Sequence, residues 1–170
     1  PILNYLLRTI PPSMVEDAAS HHDNRIRATL CSLLNANDLS DNQWCQATLR
    51  LSEAGLGLGQ ASRTTFAAYL GSAADCLRHF RPYFPALHGL DEEWIEGDVT
   101  NCSRSLANCQ EHLRNLLAER QSREPLPDAV LQDLQQALTH PQKTKPHLQR
   151  RVDCVAAAEM KHLVLTSACS

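Results

Sequence analysis

Residues 53–72 read EAGLGLGQASRTTFAAYLGS. Gly55, Gly57 and Gly59 alternate with Leu56 and Leu58, and an apolar pattern of helical spacing begins directly afterwards. The stretch is either a phosphate-cradling loop or a packing element. A dinucleotide loop needs Gly-x-Gly-x-x-Gly between a strand and a helix. Here position 60 is Gln, with no βαβ pattern around it. A phosphate loop closes on Gly-Lys-Ser or Gly-Lys-Thr, which this stretch lacks. The alternation therefore reads as structural. Glycine supplies backbone freedom, while Leu56 and Leu58 share one side of an extended segment and can plug a core. Gly55, Gly57 and Gly59 are expected to form an elbow between two helices, with no nucleotide bound.

Outward from the elbow, the spacings stay helical. Phe66, Tyr69, Leu70, Ala73, Leu77 and Phe80 predict a helix from about 60 to 80. Upstream, PILNYLLRTI is ended by Pro11–Pro12. Ser13 with Glu16 makes a capping-box pattern, and Val15, Ala19, His22, Ile26, Leu30 and Leu33 line one face behind it. His22 on that face is expected as a hydrogen-bonded core histidine. Ser40 with Gln43 offers a second box. Downstream, Leu106, Cys109, Leu113, Leu116 and Leu117 mark a helix over about 101–121. Pro127–Asp128 suits the first turn of another, carrying Val130, Leu131, Leu134 and Leu138. Leu148, Val152, Val155, Ala156 and Leu163 mark the last. No alternating run of useful length occurs. The reading is all-α: an irregular bundle of six or seven helices without internal repeats. RPYFPALHG, from residue 81, is the best break between two helical regions, 1–85 and 86–170, which could also pack as one domain.

The chain has 170 residues, is 43% hydrophobic and only 5% aromatic, so its core must be mostly Leu, Ala and Val. A net charge of −3 excludes a strongly basic nucleic-acid binder over the whole chain, though not a local patch. No apolar run approaches the roughly 18–20 residues of a membrane span. No basic leader precedes a long apolar run, so an intracellular location, cytoplasmic or nuclear, is expected. The seven cysteines are odd in number and irregular in spacing, which argues for a reducing compartment over a disulfide framework. Residues 91–98, DEEWIEGD, carry five acids and no base and read as a solvated segment.

Chemistry-bearing groups are few. Cys76/His79 and Cys109/His112 each share a helix face at i, i+3, and together could close a tetrahedral zinc site. Both cysteines lie on apolar faces, where a thiol packs as a small hydrophobe, so no metal is expected. His21–His22–Asp23 resembles a catalytic general-base pair, but sequence neighbours on a helix do not face each other. With no nucleophile elbow or metal-binding acidic pair, the chain alone is expected to be no enzyme and to hold no cofactor. KTKPHLQRR, residues 143–151, gathers Lys143, Lys145, Arg150 and Arg151 without an acid. It is either a solvated helix start or a contact for nucleic-acid phosphates. Arg8 is a further candidate, and Arg78 and Arg81 could join if the halves pack together.

LNYLLRTIPPSM, HHDNRIRATLCSLL, QATLRLSEAGLGL and AAYLGS follow one another in this chain. This succession resembles the segment after the polymerase palm in reverse transcriptases of non-LTR retrotransposons. There a YLLR…PP stretch begins the thumb, and an LP…GGLGL stretch precedes an AYL(A/G)S helix. The match runs through residues 3–8, 11–12, 46–58 and 67–72, and LQRRVDCVAAAE resembles the helix that follows in many such elements. Arg50 stands where the family has proline, and Ala54 where it has the first glycine of the pair. The palm's paired aspartates are absent. The resemblance implies a non-catalytic thumb and post-thumb region, with an upstream palm and an RNA–DNA or DNA duplex as partners. Net charge and the acidic run favour a second reading, a helical protein-interaction module without a nucleic-acid role.

Overall fold

The structure, a computed structural model, describes residues 2–80, 83, 101–123, 126–139 and 147–168. Every regular element among them is helical: α1 (Ile2–Thr9), α2 (Pro12–Leu33), α3 (Asp41–Thr48), a 3-10 turn (Leu51–Glu53), α4 (Ala61–Phe80), α5 (Asn101–Arg123), α6 (Asp128–Thr139) and α7 (Leu148–Ala168). The fold is an all-α irregular bundle. The acidic stretch 91–98 lies outside the described residues.

The helix ends follow local chemistry. α2 starts two residues earlier than a Ser13 cap requires. Pro12 occupies the first turn, Pro11 is the N-cap, and no side chain caps the end. The Ser13/Glu16 box therefore does not form, because proline's fixed φ already begins the helix. At Ser40 the box does form: Gln43 N–H donates to Ser40 Oγ (3.3 Å) and Ser40 N–H donates to Gln43 Oε1 (2.8 Å). α2 ends at Asn35 with φ 51°. Ala36 N–H returns to Cys31 O and Asn35 N–H to Ser32 O, the paired bonds of a left-handed helix stop.

α4 is the hub. It packs against α1, α2, α5 and α7. Ala61 and Ala68 face a small core with Leu7, Val15 and Ala19. Ala67, Leu70 and Ala74 face a larger one with Leu106, Cys109, Leu113, Leu117, Leu134, Leu148, Val152 and Val155. The larger core thus draws on residues from both sides of the 81–90 break. At Gly71 the two helices α4 and α7 come so close that a Cβ would lie 2.9 Å from Gln149 Cβ.

The α2 face departs from expectation at two positions. Val15 and Ala19 are buried, but His22 is exposed and Asp23 takes the inward place. A step of four from Ala19 reaches residue 23, and the helix turns 22 away. The second position is Leu33, which is exposed while Cys31 is buried in its stead.

Candidate functional site

The glycine stretch covers the C-terminal end of α3. Leu56 N–H (3.1 Å) and Leu58 N–H (3.3 Å) donate to Ala47 O, and Gly57 N–H donates to Leu49 O (2.8 Å). These bonds satisfy carbonyls that a helix end leaves open, and they occupy amides that a phosphate would need. A Cβ on Gly55 would sit 2.1 Å from Leu49 O. Gly57 has φ +70°, and Ala54 has φ 60°. A Cβ on Gly59 would meet nothing within 4 Å. The leucines do not plug the core. Leu56 is 55% exposed and Leu58 half-buried, because the amides of both point at α3. Leu56 instead borders an open apolar groove of about 450 Å³ with Leu30, Leu34, Leu39, Ala47 and Val164.

Lys143, Lys145 and Arg81 lie outside the described residues. Arg150 is exposed. Arg151 is half-buried and paired with Asp133 of α6, so it lies at a helix junction and not off the packed surface as its sequence position suggested. Burial lowers its pKa first, and the charge of Arg78 lowers it further. Arg78 Nη1 lies 2.9 Å from Asp75 Oδ1, while Arg8 Nη2 lies 3.6 Å from Asp75 Oδ2. Arg8, Arg78 and Arg151 are thereby gathered into one seam across α1, α4, α6 and α7, each facing a carboxylate.

The two Cys-x-x-His pairs have different surroundings. Cys109 is buried, and burial pushes its thiol up to about 12. Cys76, expected on an apolar face, is exposed, because the buried stripe of α4 runs through Leu70 and Ala74. His112 stacks on Phe66 with ring centroids 4.4 Å apart. Among the described residues, no group of three or more His, Cys, Asp or Glu is placed to hold a metal, and five cysteines are free thiols.

A cluster that sequence reading missed lies between α4, α5 and α7. Arg63, His112, Glu119 and Asp153 line a cleft of about 230 Å³ with Ala67, Leu116, Val152, Ala156 and Met160. Burial raises Asp153 from its ordinary 3.8 to about 6, against the opposing charges of Arg50 and Arg63. Burial lowers His112, opposed by Glu119. The signal was an acid beside Val152, on a face with Ala156 and Met160.

Asp153 yields a pH prediction. Its folded-state pKa is raised, so the native chain holds a proton that the unfolded chain releases. Stability attributable to this group falls as pH rises from about 4 through 6, then levels off. The full shift corresponds to about 3 kcal/mol; discounted for partial exposure, about 1–2 kcal/mol is expected. Asp153→Asn should be that much more stable than the parent at pH 7 and equal to it near pH 4, by urea denaturation. A gain of the same size at both pH values would contradict this.

No protein-family model matches the chain, and neither a curated protein nor a solved structure does so. No described helix is long and apolar enough to cross a membrane.

Proposed function

We propose that the chain is a non-catalytic helical region of a reverse transcriptase-like protein, packing on a polymerase core and bordering its template–primer duplex. The observation that carries this reading is the backbone of residues 54–57. The resembled family writes this loop Gly-Gly-Leu-Gly-Leu. Ala54 and Gly57 adopt left-handed φ, and Gly55 has no room for a Cβ. Each glycine of the family pattern thus falls where the backbone demands one, including the position this chain fills with alanine. The same resemblance covers α1, whose Ile2 and Tyr5 are 77% and 67% exposed opposite buried Leu7. Three residues apart on one helix face, Ile2 and Tyr5 offer an apolar edge suited to packing on another body.

The interaction-module reading retains one favourable observation, the groove beside Leu34 and Leu56. Fluorescence anisotropy on an RNA–DNA hybrid across a salt series separates the two. Because Arg151 is bound to Asp133, the cations left for phosphates are Lys143, Lys145 and Arg150. Binding should be weak, with a log–log salt slope no steeper than about −2.7, at roughly 0.9 per phosphate. Replacing those three by Gln should flatten the slope and leave the circular dichroism unchanged. Identical behaviour of parent and triple variant would remove duplex contact and leave the packing role alone.

A further inference from the structure

The cleft between α4, α5 and α7 carries charged groups of both signs, Arg63 on one side and Glu119 and Asp153 on the other. Arg63 Nη2 donates to Thr48 Oγ1 (3.2 Å) and to Gln60 Oε1. No bond engages its Nη1 or Nε among the described residues. Asp153 feels the charge of Arg63, yet no ion pair joins them. His112, its imidazole held neutral by burial, and Glu119 border the cleft as well. One opposite-charge pair, Arg63 and Asp153, therefore faces across the cleft without closing into an ion pair. The remaining wall is apolar: Ala67, Leu116, Val152, Ala156 and Met160.

We propose that this cleft binds a small zwitterion, a free α-amino acid with a short apolar side chain. Guanidinium Nη1 and Nε, with the imidazole, offer donors to a carboxylate. Asp153 and Glu119 offer acceptors to an ammonium group, and Leu116 and Met160 offer a surface to the side chain. A lone anion would meet two carboxylates, and a lone cation would meet Arg63. A zwitterion answers both signs. A volume of about 230 Å³ admits a molecule of this size and little more.

The test uses the full chain and three probes at constant ionic strength: L-norleucine, n-pentylammonium and hexanoate. L-norleucine should raise Tm saturably at millimolar concentration and shift the His112 ring signals in NMR. Each half-ligand, lacking one charged group, should need at least tenfold higher concentration for the same shift. Asp153→Asn removes a buried charge and so keeps the fold, and it should weaken L-norleucine at least tenfold. Ala156→Phe, which fills the cleft, should abolish the response. The proposal fails if L-norleucine gives no saturable shift up to 10 mM, if a half-ligand matches it, or if both variants respond like the parent.

Discussion

Gly55→Ala should destabilise the fold by at least about 3 kcal/mol, more than any other change in the glycine stretch. The added Cβ would sit 2.1 Å from Leu49 O and 2.4 Å from Leu49 C. Both are backbone atoms in the segment leaving α3, so no side-chain rotation relieves the overlap. The loop must lift away, and lifting it breaks the bonds from Leu56, Gly57 and Leu58 to α3. Overpacking alone costs about 1–3 kcal/mol, and lost backbone bonds add to it. Gly57→Ala should cost less, about 1–2 kcal/mol, because only its left-handed angle is at stake. Gly59→Ala should lie within about 0.5 kcal/mol of the parent. Urea midpoints of the three variants check the order 55, 57, 59. Equal effects at all three would refute the role given to Leu49.

Asp23→Ala should cost about 3 kcal/mol. Asp23 Oδ1 accepts from Ala61 N–H (2.8 Å), and Oδ2 accepts from Ser62 N–H (2.9 Å) and Ser62 Oγ (2.6 Å). A carboxylate from the middle of α2 thus caps the start of α4. Its anion also meets the positive end of the α4 dipole. Removing it strands a buried donor and two part-buried ones, at a cost near the upper end of a charged hydrogen-bond loss. For a chain of this size the Tm should drop by roughly 6–12 °C. Asp23→Asn, which keeps one acceptor, should fall between. His21→Ala and His22→Ala, on exposed residues, should stay within about 0.5 kcal/mol. An Asp23→Ala variant as stable as the histidine variants would disprove the cap.

These residues also mark what could be read from sequence. The helices were legible because apolar spacings of three and four are set by the chain itself. Tyr69 and Leu70 point inward as their spacing indicated, while the inward alanine is Ala74, one position beyond the expected Ala73. Asp23 was not legible, because its partners Ala61 and Ser62 lie far along the chain. An acid four residues beyond Ala19 on an apolar face was its only local trace. Arg151 misled for the converse reason. Its immediate neighbours are basic, and the carboxylate that holds it belongs to α6. The cleft was least visible of all, since Arg63, His112, Glu119 and Asp153 come from three helices and none forms a motif with another.

The central place of α4 also orders events during synthesis. Its side toward α1 and α2 can be covered as soon as it leaves the ribosome, since Leu7, Val15 and Ala19 already exist. Its opposite side, with Ala67, Leu70 and Ala74, waits for Leu148, Val152 and Val155. At about 5–20 residues per second, that delay lasts several seconds. Throughout it, the nascent chain carries a finished half-core with a bare apolar flank, the kind of surface that holding chaperones recognise.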